Sequence, residues 1–153
     1  MDTAAERLPY VDEHAIELSA SREHAWASLL RVVERTFEGG PTPRFAALIG
    51  SADTTASGPR PLALGSTVPG FHVASFAEGE ELGLSGSHRF SDYALIFRLE
   101  ELGAGRMRLR AETRAVFPGL KGGVYRALVI GTRMHVLVTR RVLAAVRRRA
   151  ERT

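Results

Sequence analysis

The second half of the chain leaves the least freedom. The runs GFHVASF, ELGLSGSHRF, YALIFRLEEL and RMRLRAETRAVF follow one another with short turns between them, and they read as strands with a side-chain period of two. Connections this short join antiparallel neighbours. The segment after them, GGVYRALVIGTRMHVLVTRRVLAAVRRRAER, switches to a helical period and would extend about 45 Å at 1.5 Å per residue. Hairpins followed by one long amphipathic helix predict an α+β fold, a curved antiparallel sheet wrapped around the C-terminal helix.

The first half supplies a strand and a helix. His14-Ala15-Ile16-Glu17-Leu18 alternates with period two, and Ser21 stands where an N-cap belongs, with Glu23 in the first turn. Trp26, Leu29, Leu30, Val33 and Phe37 then recur at three- and four-residue spacing, and Gly39-Gly40-Pro41 ends the helix. A shorter helix or irregular turn is expected from Arg44 to Ile49. GSADTTASGPRP, Gly50 to Pro61, has no large apolar residue and reads as a mobile loop, placed at a pocket mouth as a gate. Leu62 to Phe76 gives one or two strands broken at Pro69-Gly70, and a Ser91-Asp92 turn separates the strands Glu81 to Phe90 and Tyr93 to Leu102.

With 153 residues, 44% of them hydrophobic and 25% charged, the chain is long enough for one core, and residues 1–153 are expected to form a single domain. Cysteine is absent, which excludes disulfides, thiolate metal sites and cysteine nucleophiles. The N-terminus lacks an apolar leader and the longest apolar runs fall far short of the roughly 20 residues of a membrane span, so the expected location is the cytoplasm. The formal charge is only +4, carried almost wholly by arginine, with Lys121 the sole lysine. Arg140, Arg141, Arg147, Arg148, Arg149 and Arg152 crowd the end of the last helix, where its dipole favours cations and solvent covers them. Nucleic acid is not an expected partner; a homodimer is open.

Alternation assigns the faces. Arg106, Arg108, Arg110, Glu112 and Arg114 fall on one face of the last strand, and Met107, Leu109, Ala111, Thr113, Ala115 and Phe117 on the other. By the same count Tyr93, Leu95, Phe97 and Leu99 point inward, as do Leu82, Leu84, Gly86, His88 and Phe90. On the helix, Arg126, Arg133, Arg140 and Arg147 mark the solvent stripe, opposite Val124, Leu128, Gly131, His135, Val138, Val142 and Ala145.

The order β-α-α-β-β-β-β-α with a long terminal helix resembles the START-related, birch-pollen-allergen-like superfamily that includes the polyketide cyclase/dehydrase group. The blocks GSTVPGFHVASF, ELGLSGSHRFSDYALIFRLEELGAGRMRLRAETRAVFPGL and GGVYRALVIGTRMH are similar to an uncharacterised bacterial branch of it. The resemblance spans nearly the whole chain and rests on order and pattern. It implies a helix-grip fold with an internal pocket for an apolar or aromatic small molecule, and transfers no catalytic residue and no cofactor.

The residues leave two outcomes for the interior. Gly86, Ala111, Thr113, Ala115 and Gly131 are small, so the helix either settles close against the sheet or is held off it over a cavity. The candidate pocket is bordered by His88, Tyr93, Phe97, Thr113, Gly131 and His135, whose polar members can orient a ligand or, for an imidazole, move a proton. His72 fits either face, and His14 and His24 read as surface residues. The five histidines lack HxxxH or HExxH spacing, so no metal site is expected. GLSGS lacks the spacing of a nucleophile elbow, PGLKGG lacks that of a P-loop, and no GxGxxG unit occurs.

Three functions fit this reading. The leading one is binding of a hydrophobic or aromatic small molecule in the sheet–helix cavity, for transport, sensing or presentation. The second is a polyketide-cyclase-like or hydrolytic enzyme using the same cavity, with His88 or Tyr93 paired to His135. The third is an interaction module docking a protein or an anionic surface.

Overall fold

The computed structural model describes residues 5–39, 44, 48, 50–89, 91–117, 119, 123–124 and 134–152. After a 3-10 turn at Ala5–Arg7 come β1 (Tyr10–Ser19), α1 (Arg22–Glu38), β2 (Thr67–Val68), β3 (Phe71–Ala77), β4 (Glu81–His88), β5 (Ser91–Gly103), β6 (Arg106–Val116) and α2 (Met134–Ala150). The six strands form one antiparallel sheet in the order β1-β6-β5-β4-β3-β2. Sequential hairpins build β2 to β6, and β1 closes on the far side of β6. This is the predicted α+β helix-grip architecture.

Local chemistry explains the element ends. The Ser21 hydroxyl accepts the His24 N–H at 3.1 Å, and the chain leaves α1 through Gly39, as the sequence predicts. Pro69-Gly70 forms the β2–β3 reversal, with Gly70 at φ +95, which suits glycine. Two boundaries differ from expectation. β1 begins at Tyr10, four residues early, because Asp12 and His14 occupy inward positions that a search for apolar alternation passes over. Ser91 and Asp92 belong to β5, since His88 already pairs with Ser91 and the reversal comes before it.

The core lies between the inner sheet face and the two helices. Trp26, Leu29, Val33 and Phe37 of α1, Val142, Leu143, Val146 and Ala150 of α2, and Leu82, Leu84, Phe97, Leu99, Met107 and Leu109 of the sheet form one buried cluster. α2 runs alongside β1 and is fastened at both ends. His135 meets Asp12 near the start of the strand, and the Ser19 N–H donates to Glu151 Oε1 at 3.0 Å near its end. Its buried stripe is rotated from the predicted one. Thr139 is buried and Val138 is exposed, because α2 packs against α1 as well as β1 and so turns its inner face toward both. Val142 and His135 hold their predicted places, while Leu128 and Gly131 lie outside the described residues.

The outer face is charged, as alternation requires. Arg98 bonds Glu6, Glu81 and Glu112, Arg110 bonds Glu13 and Glu100, Arg106 and Arg108 share Glu17, and Arg114 bonds Glu112. Ala94 and Ile96 are the apolar exceptions, covered by Leu8. The segment 50–61 is a loop, but a fastened one. Ala52 N–H donates to Ser87 O, Gly70 N–H to Asp53 O, and Arg60 to Glu38 and Thr67 O. Polar anchors replace the apolar ones that the sequence lacks, which argues against the expected loose gate.

Candidate functional site

Inner-face residues change character along the strands. At one end Leu18, Met107, Leu109, Leu99 and Phe97 are fully enclosed under α1 and the C-terminal half of α2. Toward the start of α2 the same face carries Asp12, Thr113, Tyr93, Gly86 and His88, all partly open to solvent. Register puts these residues in rows. His14, Ala111, Phe97 and Leu82 form one, Asp12, Thr113, Leu95 and Leu84 the next, and Ala115, Tyr93 and Gly86 a third. The sheet therefore offers a dry end and a polar end to whatever lies between it and the helix.

Two polar groupings occupy the open end. Tyr93 Oη donates to the Gly70 carbonyl at 2.5 Å, and its ring lies against Phe71 and His88, each 5.2 Å away between centroids. Burial pushes the His88 imidazole below its ordinary pKa, against the opposing pull of Asp92. The second grouping centres on Asp12. Its Oδ2 lies 2.6 Å from His135 Nε2 and 3.3 Å from His14 Nε2, so one carboxylate oxygen is shared by two imidazoles. Asp12 Oδ1 and His135 Nδ1 are both buried and have no hydrogen-bond partner among the described residues.

Of the predicted pocket residues, His88 and Tyr93 lie together, and Thr113 and His135 both neighbour Asp12, Thr113 as its cross-strand partner. Phe97 is fully enclosed one row deeper, and Gly131 lies outside the described residues. His135 pairs with Asp12 rather than standing opposite a β4 or β5 residue. His14, expected on the surface, faces inward beside Asp12, since it pairs across β6 with the buried Ala111. His72 faces outward toward Asp53, and His24 is exposed. Asp12 is the residue that sequence reasoning missed. The available signal was the alternation Asp12, His14, Ile16, Leu18, which places both polar residues on the apolar face. Gly86 also has another role, as Tyr93 fills the space beside it. Among the described residues no group of acids and histidines is arranged to hold a metal ion.

A solvent-open hollow of about 380 Å³ lies elsewhere, between Arg22, Ala77, Glu80, Glu81, Arg98, Leu99 and Glu100. Arg98 and Glu81 there are already bonded to each other.

Solved structures with the same chain path identify the architecture. The aromatase/cyclase ZhuI from Streptomyces sp. R1128 is 12% identical, with 95% of each chain covered and a TM-score of 0.58. Norcoclaurine synthase from Thalictrum flavum is 11% identical, over 96% of this chain and 98% of that one, at a TM-score of 0.57. They share the α+β helix-grip fold described above. Protein Ms6760 from Mycobacterium smegmatis shares it too, at 11% identity, 95% and 99% coverage and a TM-score of 0.55. No family model and no curated protein matches the sequence. No helix among the described residues is long and apolar enough to cross a membrane.

Proposed function

We propose that the protein binds a hydrophobic or aromatic small molecule between the open end of the inner sheet face and α2. The observation that carries this is the change along the sheet from enclosed apolar rows to the row in which Asp12 and Thr113 are partly open beside His135 while Leu95 and Leu84 stay buried. Such an arrangement would hold an apolar body beside the closed apolar rows and present polar groups to one end of it. The START-like fold supports the reading, and two of the proteins that share it are by name a cyclase and a synthase.

Freshly purified protein extracted with organic solvent is expected to release an apolar small molecule detectable by mass spectrometry, and stripped protein to bind a fluorescent naphthalene probe at a single site. Thr113→Trp, which fills the mouth from a partly open position, should keep the fold and lose the probe. Absence of both extracted ligand and probe binding would sink the reading. An enzymatic use of the same cavity is the second reading, favoured by the Asp12–His135 contact, in which a carboxylate orients an imidazole whose other nitrogen is unengaged. Turnover of an aromatic ester or polyketide mimic by the wild type and not by His135→Leu would establish it.

A further inference from the structure

The Asp12–His135–His14 cluster belongs to the open end of the sheet but is incomplete as it stands. An ionised carboxylate accepts hydrogen bonds and cannot donate, so both imidazoles must present N–H to Asp12 Oδ2. Asp12 Oδ1 is likewise an acceptor. This oxygen is shielded from solvent and has no partner among the described residues, although buried polar groups nearly always find one. The cross-strand neighbour Thr113 carries a hydroxyl on the same face, yet Oδ1 is left without a bond to it. A buried acceptor left unpaired costs about 1–3 kcal/mol, so the cluster is poised for a donor from outside the chain.

We infer that Asp12 Oδ1 is a recognition point for a hydrogen-bond donor on the ligand, selecting an apolar molecule that carries a hydroxyl over its ether. This rests on the ligand-binding reading above and deepens it. The selectivity arises because a donor satisfies an orphaned acceptor, whereas an ether oxygen placed there adds a second acceptor and leaves the carboxylate oxygen without a partner. Sharing of Oδ2 between His14 and His135 fixes the carboxylate, so Oδ1 cannot swing to water without breaking both contacts.

The test compares 2-naphthol with 2-methoxynaphthalene, which differ in the donor hydrogen, by calorimetry on stripped protein. In the wild type 2-naphthol is expected to bind about tenfold or more tightly than its methyl ether, the ratio that a hydrogen bond to a charged group supplies. Asp12→Asn exchanges one carboxylate oxygen for a donor amide and should bring the ratio close to one, while a circular dichroism spectrum reports whether the variant folds. Equal affinity of the two probes for the wild type overturns the inference whatever the variant does, since the orphaned acceptor then gains nothing from a donor on the ligand. A preference that survives in folded Asp12→Asn overturns it as well. If neither probe binds the wild type, the binding reading itself falls, and the donor site falls with it.

Discussion

Tyr93 and Gly86 face each other across β4 and β5, and the tyrosine ring occupies the volume that a side chain at position 86 would need. A Cβ there would overlap the Gly70 carbonyl oxygen and lie 2.6 Å from Tyr93 Cε2. The carbonyl belongs to the backbone of the β2–β3 turn and cannot move aside without breaking the Tyr93 hydroxyl bond. Gly86→Ala should therefore cost about 1–3 kcal/mol as overpacking. Tyr93→Phe should cost about 1–3 kcal/mol by leaving the buried Gly70 carbonyl short of its donor. Urea unfolding of both variants measures these losses; a neutral Gly86→Ala would show that the turn adjusts freely.

Glu112 makes the fold acid-sensitive. It is buried on β6 and bonded to Arg98 at 2.8 Å and Arg114 at 3.1 Å. Burial raises its pKa, but the two arginines outweigh that and hold it below the ordinary glutamate value. A depressed carboxylate contributes stability that is present above its unfolded pKa, about 4.3, and lost as pH falls through the folded value. Stability of the wild type should fall in that window and that of Glu112→Gln should fall less. Parallel curves for the two proteins would remove Glu112 from the account.

His88 gives a second titration with the same sign for a different reason. Its folded pKa is lowered mainly by burial, with Asp92 opposing. The unfolded chain then takes up a proton near pH 6.5 that folded His88 refuses. Its contribution is present above that pH and is lost as pH falls through the lower, folded value. NMR titration of the His88 ring should give a midpoint below 6.5, and Asp92→Asn should move it lower still. A midpoint at or above 6.5 contradicts the burial seen beside Tyr93.

The rotated stripe of α2 is open to direct test. Val138 is exposed and Leu143 is buried, so Val138→Lys should stay within about 0.5 kcal/mol of wild type while Leu143→Ala costs about 2–5 kcal/mol. Thermal denaturation distinguishes this from the stripe read off the sequence, on which Val138 faces the core.

Much of this fold was legible because alternation and turn chemistry agree from Phe71 to Val116. Glycine turns and inward Leu82, Phe97 and Leu109 repeat one instruction at several levels, which is what makes a pattern readable. The site was legible only in part. His88, Tyr93, Thr113 and His135 stood out as polar residues on apolar faces. Asp12 and His14 did not, because an acidic stretch before the first obvious strand looks like a solvated lead-in, and only β1–β6 pairing turns it inward. The stripe of α2 and the anchoring of residues 50–61 depend on long-range partners such as α1 and Ser87, which no local pattern records.

The pairing of the outer sheet arginines has an electrical consequence. Each arginine of β5 and β6 has a carboxylate partner, so that wall of the molecule nearly cancels its own field. Arg140, Arg141 and Arg148 on the exposed side of α2 have no such partner among the described residues, and Arg148 also lies in the last turn, at the negative end of the helix dipole. Though the formal charge is only +4, the described residues therefore leave uncompensated positive charge along the exposed side of α2. Near a charged surface that side of α2 would feel the field before the self-cancelling wall of the sheet does.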